Sequence, residues 1–302
     1  MPSSCASDSP PPAGVLYVVA TPIGHREDIT LRALAVLKSA SLVAAEDTRK
    51  SGELLRHFGI RARLVSYHEH NERERTPQLV SRLLAGETIA LVSNAGTPGI
   101  SDPGFRLVSA AAAAGVRVVP VPGPSAAIAA LSASGLPTDA FVFEGFLPKK
   151  PGRRRRRLAA LAAETRTVIL YESPQRLAAR AAELLAALGD RPAVLARELT
   201  KVHEEFFRGR LSGLLAELER RGEIKGECTL LIGPPEEEPP AGPGPAVREE
   251  IRRGLDAGRD PREVVREAAL RHGLPRRVLY REAVNLRRER GGPAPGGSSE
   301  NP

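Results

Sequence analysis

The sequence predicts two consecutive α/β domains followed by a small helical module, and three observations carry that expectation. At 302 residues the chain is too long for one ordinary domain, and at 41% hydrophobic it is apolar enough for two cores. Short β-branched runs alternate with segments of helical period from Val15 to Val121 and again from Phe141 to Ile232, the pattern of sheets covered by helices. Beyond residue 246, apolar residues recur at helical spacing only. The expected divisions are a disordered leader at 1–13, α/β domains at 14–122 and 123–233, a linker at 234–246, helices within 247–290 and a disordered tail at 291–302.

In the first domain, strands are expected at Leu16–Ala20, Leu42–Ala45, Arg63–Ser66, Ile89–Ser93 and Val116–Val119. Several are continuous apolar runs, which suit strands buried on both faces. Asp28 is expected to cap the helix carrying Leu31, Leu34 and Leu37, and Thr76 with Pro77 to open another. In the second domain, a small-residue helix at Ser125–Ser134 precedes strand-like Phe141–Glu144, Val168–Tyr171, Ala193–Arg197, Glu205–Arg208 and Thr229–Ile232. The proline- and glycine-rich stretch from Gly233 to Pro245 reads as a linker, because proline lacks a backbone donor and glycine costs entropy. Past it, Asp260-Pro261-Arg262-Glu263 reads as a capping box opening a helix, with His272-Gly273-Leu274-Pro275 as the turn into the next.

The net charge is +8, and only six of 44 basic residues are lysine. That balance favours a polyanionic partner over acid-rich disordered or nucleic-acid-mimicking roles. Lys149 to Arg157 holds seven cations within nine positions, and the segment from Ala246 to Arg290 carries 13 arginines against 8 acids. Five consecutive arginines repel one another, and a phosphate backbone would relieve that repulsion while releasing counterions. A solvated helix start is the bland alternative. With only Cys5 and Cys228, neither a disulfide framework nor a multi-cysteine zinc site can be built, and a reducing, cytoplasmic setting is expected. His68-Glu69-His70 lacks a third ligand of clear spacing, so no metal is expected. No stretch reaches the roughly 18 uninterrupted apolar residues of a membrane span.

Three loops stand at the carboxyl ends of expected strands, where an open parallel sheet forms its ligand crevice. They are Thr21-Pro22-Ile23-Gly24, the run Asn94 to Gly104, and Pro122-Gly123-Pro124-Ser125. Glycine permits close backbone approach and proline holds a loop open, so the three together suggest a cradle for a small ligand. Neither the dinucleotide fingerprint nor the P-loop pattern is present.

Leu16-Tyr17-Val18-Val19-Ala20-Thr21-Pro22-Ile23-Gly24, Ala45-Glu46-Asp47-Thr48-Arg49, Ser66-Tyr67-His68-Glu69-His70-Asn71-Glu72, the Asn94 to Gly104 loop, Phe143-Glu144-Gly145-Phe146-Leu147-Pro148 and Tyr171-Glu172-Ser173-Pro174 together resemble the ribosomal RNA small subunit methyltransferase I family. The resemblance covers about residues 15 to 233. It implies a tetrapyrrole methylase-like fold of two α/β domains, S-adenosylmethionine as cofactor, methylation of a cytidine 2′-hydroxyl in 16S ribosomal RNA of the 30S subunit, and a homodimer. Carried onto this sequence, it puts the cofactor among Ile23, Gly24, Gly96, Thr97, Pro98, Ile100, Ser125 and Ala126, with Tyr171, Ala196 and Leu230 closing the cleft. Thr97, Asn94 and His25 depart from the family pattern, and an amide at Asn94 cannot serve as a base.

A ribose hydroxyl is a poor nucleophile while protonated, so a proton acceptor is sought. Glu46 and Asp47 are the leading candidates, ahead of Asp102, His68 and Glu144, although Asp47 also suits a helix cap. Arg49 and Lys50 beside them, and Lys149, Lys150, Arg153, Arg154, Arg155 and Arg156 in the basic run, are the expected RNA contacts. The alternatives are a tetrapyrrole methyltransferase and a non-catalytic RNA-binding assembly protein. The basic run argues against the first, and inability to hold the cofactor would favour the second.

Overall fold

Strand and helix alternate through the first half of the chain as the apolar pattern requires. The order is β1 (Val15–Val19), α1 (Leu31–Ser39), β2 (Leu42–Ala45), α2 (Thr48–His57), β3 (Leu64–Ser66), α3 (Glu72–Leu84), β4 (Ile89–Val92), α4 (Phe105–Ala113) and β5 (Arg117–Val121). The computed structural model describes residues 14–236 and 243–289. The expected leader, residues 237–242 of the expected linker, and the expected tail lie outside the described residues. The chain divides into two compact units, one up to Pro235 and one from Glu236.

The first sheet is wholly parallel, in the order β3-β2-β4-β1-β5. Each residue of β2 and β4 is buried, and alternate side chains go to opposite faces. Leu42, Ala44, Ile89 and Leu91 join one core cluster, while Val43, Ala45, Ala90 and Val92 join the other. The connections leaving β1 and β4 run in opposite directions along the sheet, so the loops after these neighbours part and leave a crevice.

Several element starts differ from expectation. Thr30, not Asp28, caps α1, accepting from the Ala33 amide at 3.1 Å. Asp28 ends a short 3-10 turn instead. The third helix begins at Glu72, with Pro77 inside it. Thr76 Oγ1 donates to the Glu72 carbonyl at 2.6 Å and pairs with the Tyr67 hydroxyl at 3.0 Å, so this buried threonine is a packing residue and not a cap. Strand β5 extends through Pro120, which an edge strand tolerates.

The second half continues with α5 (Ala126–Ser132), β6 (Phe141–Phe146), α6 (Pro151–Ala162), β7 (Thr167–Glu172), α7 (Pro174–Leu188), β8 (Pro192–Arg197), β9 (Glu205–Arg210), α8 (Leu211–Arg221) and β10 (Cys228–Ile232). Its sheet runs β6-β7-β10-β8-β9, with β6 and β7 parallel and the remaining pairs antiparallel. One face buries Val168, Leu170, Leu195 and Leu230 together with residues of α6, α7 and α8. The other buries Ile169, Val194, Ala196 and Leu231 with Ile23 of the first half and with Ala127, Ala130 and Leu131 of α5. This second cluster joins the two halves, and it lies beside the site.

The second unit holds α9 (Pro245–Asp256), α10 (Pro261–His272) and α11 (Arg276–Glu289). Asp260 caps α10, accepting from the Arg262 amide at 2.6 Å, and Gly273 in the left-handed region ends it. Sequence pattern missed α9, whose first residue is the last proline of the expected linker, a position helices favour. Its buried Val247 and Ile251 meet Val264, Ala268, Leu279 and Ala283 of the following helices.

Candidate active site

The loops after Ala20, Ser93 and Val121 meet. Thr21 and Gly96 exchange both backbone hydrogen bonds, at 2.8 and 3.0 Å. The Thr97 hydroxyl donates to the Pro124 carbonyl at 3.2 Å, tying the second loop to the third. Gly123 lies so close to β1 that a Cβ there would stand 3.0 Å from the Ala20 methyl. Gly145 has φ +68°, and a Cβ on it would stand 2.9 Å from Ser101 Oγ; this lets the irregular middle of β6 close over the second loop.

These elements enclose a cavity of about 410 Å³. The first half contributes Ile23, Glu46, Lys50, Asn94 to Thr97 and Ile100 to Asp102; the second contributes Ser125, Ala126, Phe146, Tyr171 to Pro174 and Gly226 to Thr229. The Tyr171 hydroxyl accepts from the Ala127 amide at 3.1 Å at the start of α5, and its ring meets Phe143 and Phe146 edge-on at 5.1 and 5.8 Å. Burial pushes its phenol pKa up. Burial likewise raises Cys228 to about 11, so it stands in the wall as a thiol and not as a thiolate nucleophile.

Four carboxylates line this space, Glu172 and Glu227 from the second half and Glu46 and Asp102 from the first. Glu46 Oε2 accepts from the Asn94 amide at 3.0 Å, which fixes the start of the long loop. Asp102 is raised to about 6, first by burial and then by the like charge of Glu46, with the Ser93 hydroxyl pulling the other way and Glu227 adding to the rise. Its neighbour Ser101 holds φ +63°, an uncommon conformation for a residue with a side chain, which marks a loop held in place by its surroundings.

The expected site residues divide accordingly. Ile23, Glu46, Lys50, Gly96, Thr97, Ile100, Ser125, Ala126 and Tyr171 line the cavity; Gly24, Asp47, Arg49, Pro98, Ala196 and Leu230 do not. Asp47 caps α2, accepting from the Arg49 amide at 2.9 Å and pairing with its guanidinium at 3.2 Å, which holds its carboxyl below the usual carboxylate range. At Gly24 a Cβ would come within 2.6 Å of Thr200 Oγ1 and Lys201 Cγ, so this glycine admits the β8–β9 loop rather than a ligand. Ala196 is buried behind the wall in the cluster that joins the halves. Leu230 points to the opposite face of its sheet, toward α7 and α8, because its register places it beside Leu170 and Leu195.

Glu144 pairs with Arg157, whose Nε donates to it at 2.6 Å, and is thereby occupied. His68 is not part of the cavity wall. Within the basic run, Arg154 binds both oxygens of Glu183, at 2.7 and 3.1 Å, and the carbonyls of Pro148 and Lys149. It fastens α6 to α7. Lys149, Lys150, Arg153, Arg155 and Arg156 are exposed. Sequence reasoning gave little weight to Asp102 and none to Phe146, Glu227 or Thr229. Asp102 carried a signal, since it lies in the glycine-rich loop, but its burial does not show in one dimension.

An open parallel sheet joined to a mixed one, with a cavity where their loops meet, defines a methylase of the tetrapyrrole type, and residues 15–215 match the family described as Tetrapyrrole (Corrin/Porphyrin) Methylases. Solved structures share the fold. The uroporphyrin-III C-methyltransferase of Thermus thermophilus complexed with S-adenyl homocysteine superposes with TM-score 0.52 at 22% identity, over 73% of this chain and 97% of that one. The methyltransferase CobJ gives TM-score 0.57 at 20% identity, over 74% and 95%. Sequence relatives are nearer. The ribosomal RNA small subunit methyltransferase I of Synechocystis sp. is 48% identical over 90% of this chain and 98% of its own length. That of Escherichia coli O157:H7 is 47% identical over 90% and 95%. The chain belongs to the ribosomal RNA small subunit methyltransferase I family.

Proposed function

We propose that this protein methylates the 2′-hydroxyl of a cytidine ribose in 16S ribosomal RNA, with S-adenosylmethionine as donor and the 30S subunit as substrate. The observation that carries the chemistry is Asp102, a carboxyl raised to about 6 in the wall of the shared cavity. The relatives' names supply the substrate class. The residues present suit the donor. A cavity of about 410 Å³ falls in the range that holds a cofactor. Asn94 Oδ1 is buried there without a hydrogen-bond partner, an orphan acceptor costing about 1–3 kcal/mol unless a ligand N–H or O–H meets it.

Bound S-adenosylmethionine supplies an electrophilic methyl group on a sulfonium sulfur. Ile23, Gly96, Thr97, Ile100, Ser125 and Ala126 form the wall that positions it, with Tyr171 and Phe146 as the aromatic side. Asp102 would accept the proton of the ribose 2′-hydroxyl and so leave that oxygen a better nucleophile toward the donor's methyl group. Glu46 keeps the Asn94 amide in place, and its charge raises the basicity of Asp102. Lys50, on the first turns of α2, meets the phosphate next to the target sugar. Lys149, Lys150, Arg153, Arg155 and Arg156 extend the contact along the RNA backbone.

Among the described residues no helix is long and apolar enough to cross a membrane. We place the protein in the cytoplasm with its substrate, as a homodimer. Incubating it with radiolabelled S-adenosylmethionine and 30S particles, naked 16S RNA or precorrins tests the reading. Label in a cytidine ribose of the 30S particle is expected, and label in the precorrin alone would refute it.

A further inference from the structure

The helical module carries a groove of about 480 Å³ between α10 and α11, lined by Arg262, Glu263, Val265, Arg266, Arg276, Arg277 and Tyr280. Val265 is its buried floor, and all four arginines are exposed. Elsewhere in the module several basic groups are matched with acids, Arg259 with Glu267 at 2.6 Å, Arg271 with Glu250 at 2.5 Å and His272 with Glu250 at 2.8 Å, while Arg253, Arg281, Arg287 and Arg288 do not line the groove. Among the described residues none of the four groove arginines has a carboxylate within salt-bridge distance, and the groove's one acid is Glu263. Four guanidinium groups around one concavity repel each other unless a polyanion lies between them.

Tyr280 decides between polyanions. It is 38% exposed and lies on the same side of α11 as Arg276 and Arg277, one turn further on. A fork of N–H donors matches phosphate oxygens, and an exposed aromatic ring beside such forks gives a base a face to stack on. An acidic protein surface would use the forks and leave the ring idle. A double-stranded RNA helix hides its base faces, so the ring calls for unpaired nucleotides.

We propose that this groove docks a single-stranded segment of RNA, with the four arginines on successive phosphates and Tyr280 under one base. The proposal rests on the RNA-methylating function above and adds a second, separate contact to it.

The test uses the full chain and a fluorescein-labelled 16-nucleotide RNA of mixed sequence, with anisotropy read across a salt series. Replacing Arg262, Arg266, Arg276 and Arg277 together by glutamine is expected to flatten the slope of log Kd against log salt by about 1.4–2.8, for two to four lost phosphates. A control replacing Arg252, Arg253, Arg259 and Arg271 removes equal charge away from the groove and is expected to change the slope by less than half as much. Tyr280→Ala is expected to weaken binding by about five- to a hundredfold, and Tyr280→Phe to restore it. Circular dichroism checks that each variant is folded, and the tyrosine pair decides the matter if the quadruple variant is not. Equal slopes for the two quadruple variants, wild-type affinity of Tyr280→Ala, or displacement of the RNA by polyglutamate as readily as by unlabelled RNA would each overturn the proposal. Methyl transfer into 30S particles is measured in parallel. Absent transfer by the wild type refutes the enzymatic reading, whereas normal transfer with groove variants that bind unchanged refutes the groove alone.

Discussion

Replacing Asp102 by asparagine should stop methyl transfer and make the protein more stable. The carboxyl ionises at about 6 in the folded chain against 3.8 as its ordinary value. A raised acid binds its proton more tightly folded than unfolded, so its contribution is most favourable at pH below 3.8 and is lost as pH rises through 6. With solvent screening of this partly exposed group, the carboxyl costs at most about 3 kcal/mol at pH 7 and at most about 1 kcal/mol at pH 4.5. Asparagine has the same shape without that cost. Urea unfolding at the two pH values should show Asp102→Asn ahead of the wild type by up to these amounts, the gap narrowing at the lower pH. Because the base must be unprotonated, kcat/KM of the wild type should fall about tenfold per unit below pH 6 and level off above it. A destabilised Asp102→Asn protein, or transfer independent of pH between 5 and 8, would refute the placement of this carboxyl.

Glu46→Gln removes the like charge while keeping an acceptor for the Asn94 amide, so the acid limb of the pH profile should move to lower pH; an unmoved limb would separate the two carboxyls. Gly24→Ala puts a methyl within 2.7 Å of three atoms of the β8–β9 loop and should lower stability by about 1–3 kcal/mol, read as a shift in the urea midpoint. Arg154→Gln should cost about 1–3 kcal/mol of stability by breaking its paired bond to Glu183, with little effect on the salt dependence of RNA binding. The triple change of Arg153, Arg155 and Arg156 to glutamine should do the reverse, flattening the slope by up to about 2.

Much of the scaffold could be read from the chain because its signals are local. The runs at Leu42–Ala45 and Ile89–Val92 are strands buried on both sides, and a parallel sheet is what buries such runs. Glycine and proline marked the three loops, and these do meet at one cavity. What escaped depends on contacts between distant segments. Leu230 and Leu231 are neighbours of equal hydrophobicity, and only the pairing of β10 with β7 and β8 decides which faces the joining cluster. Thr76-Pro77 has the composition of a helix start, yet Tyr67 draws the threonine into the core and the helix begins one turn earlier. Between Glu46, Asp47 and Asp102 the chain offers three similar acids; one is a cap, and the burial that singles out another is a property of the assembled walls.

The cluster that joins the halves sets how the protein comes apart. Ile23 and the apolar side of α5 are covered largely by second-sheet residues, Ile169, Val194, Ala196 and Leu231. A cut between Val121 and Ala126 would therefore leave two fragments, each with a greasy flank, that associate again rather than persist alone. The catalytic chamber straddles this boundary, so heating should abolish donor binding and unfold both sheets in a single cooperative event.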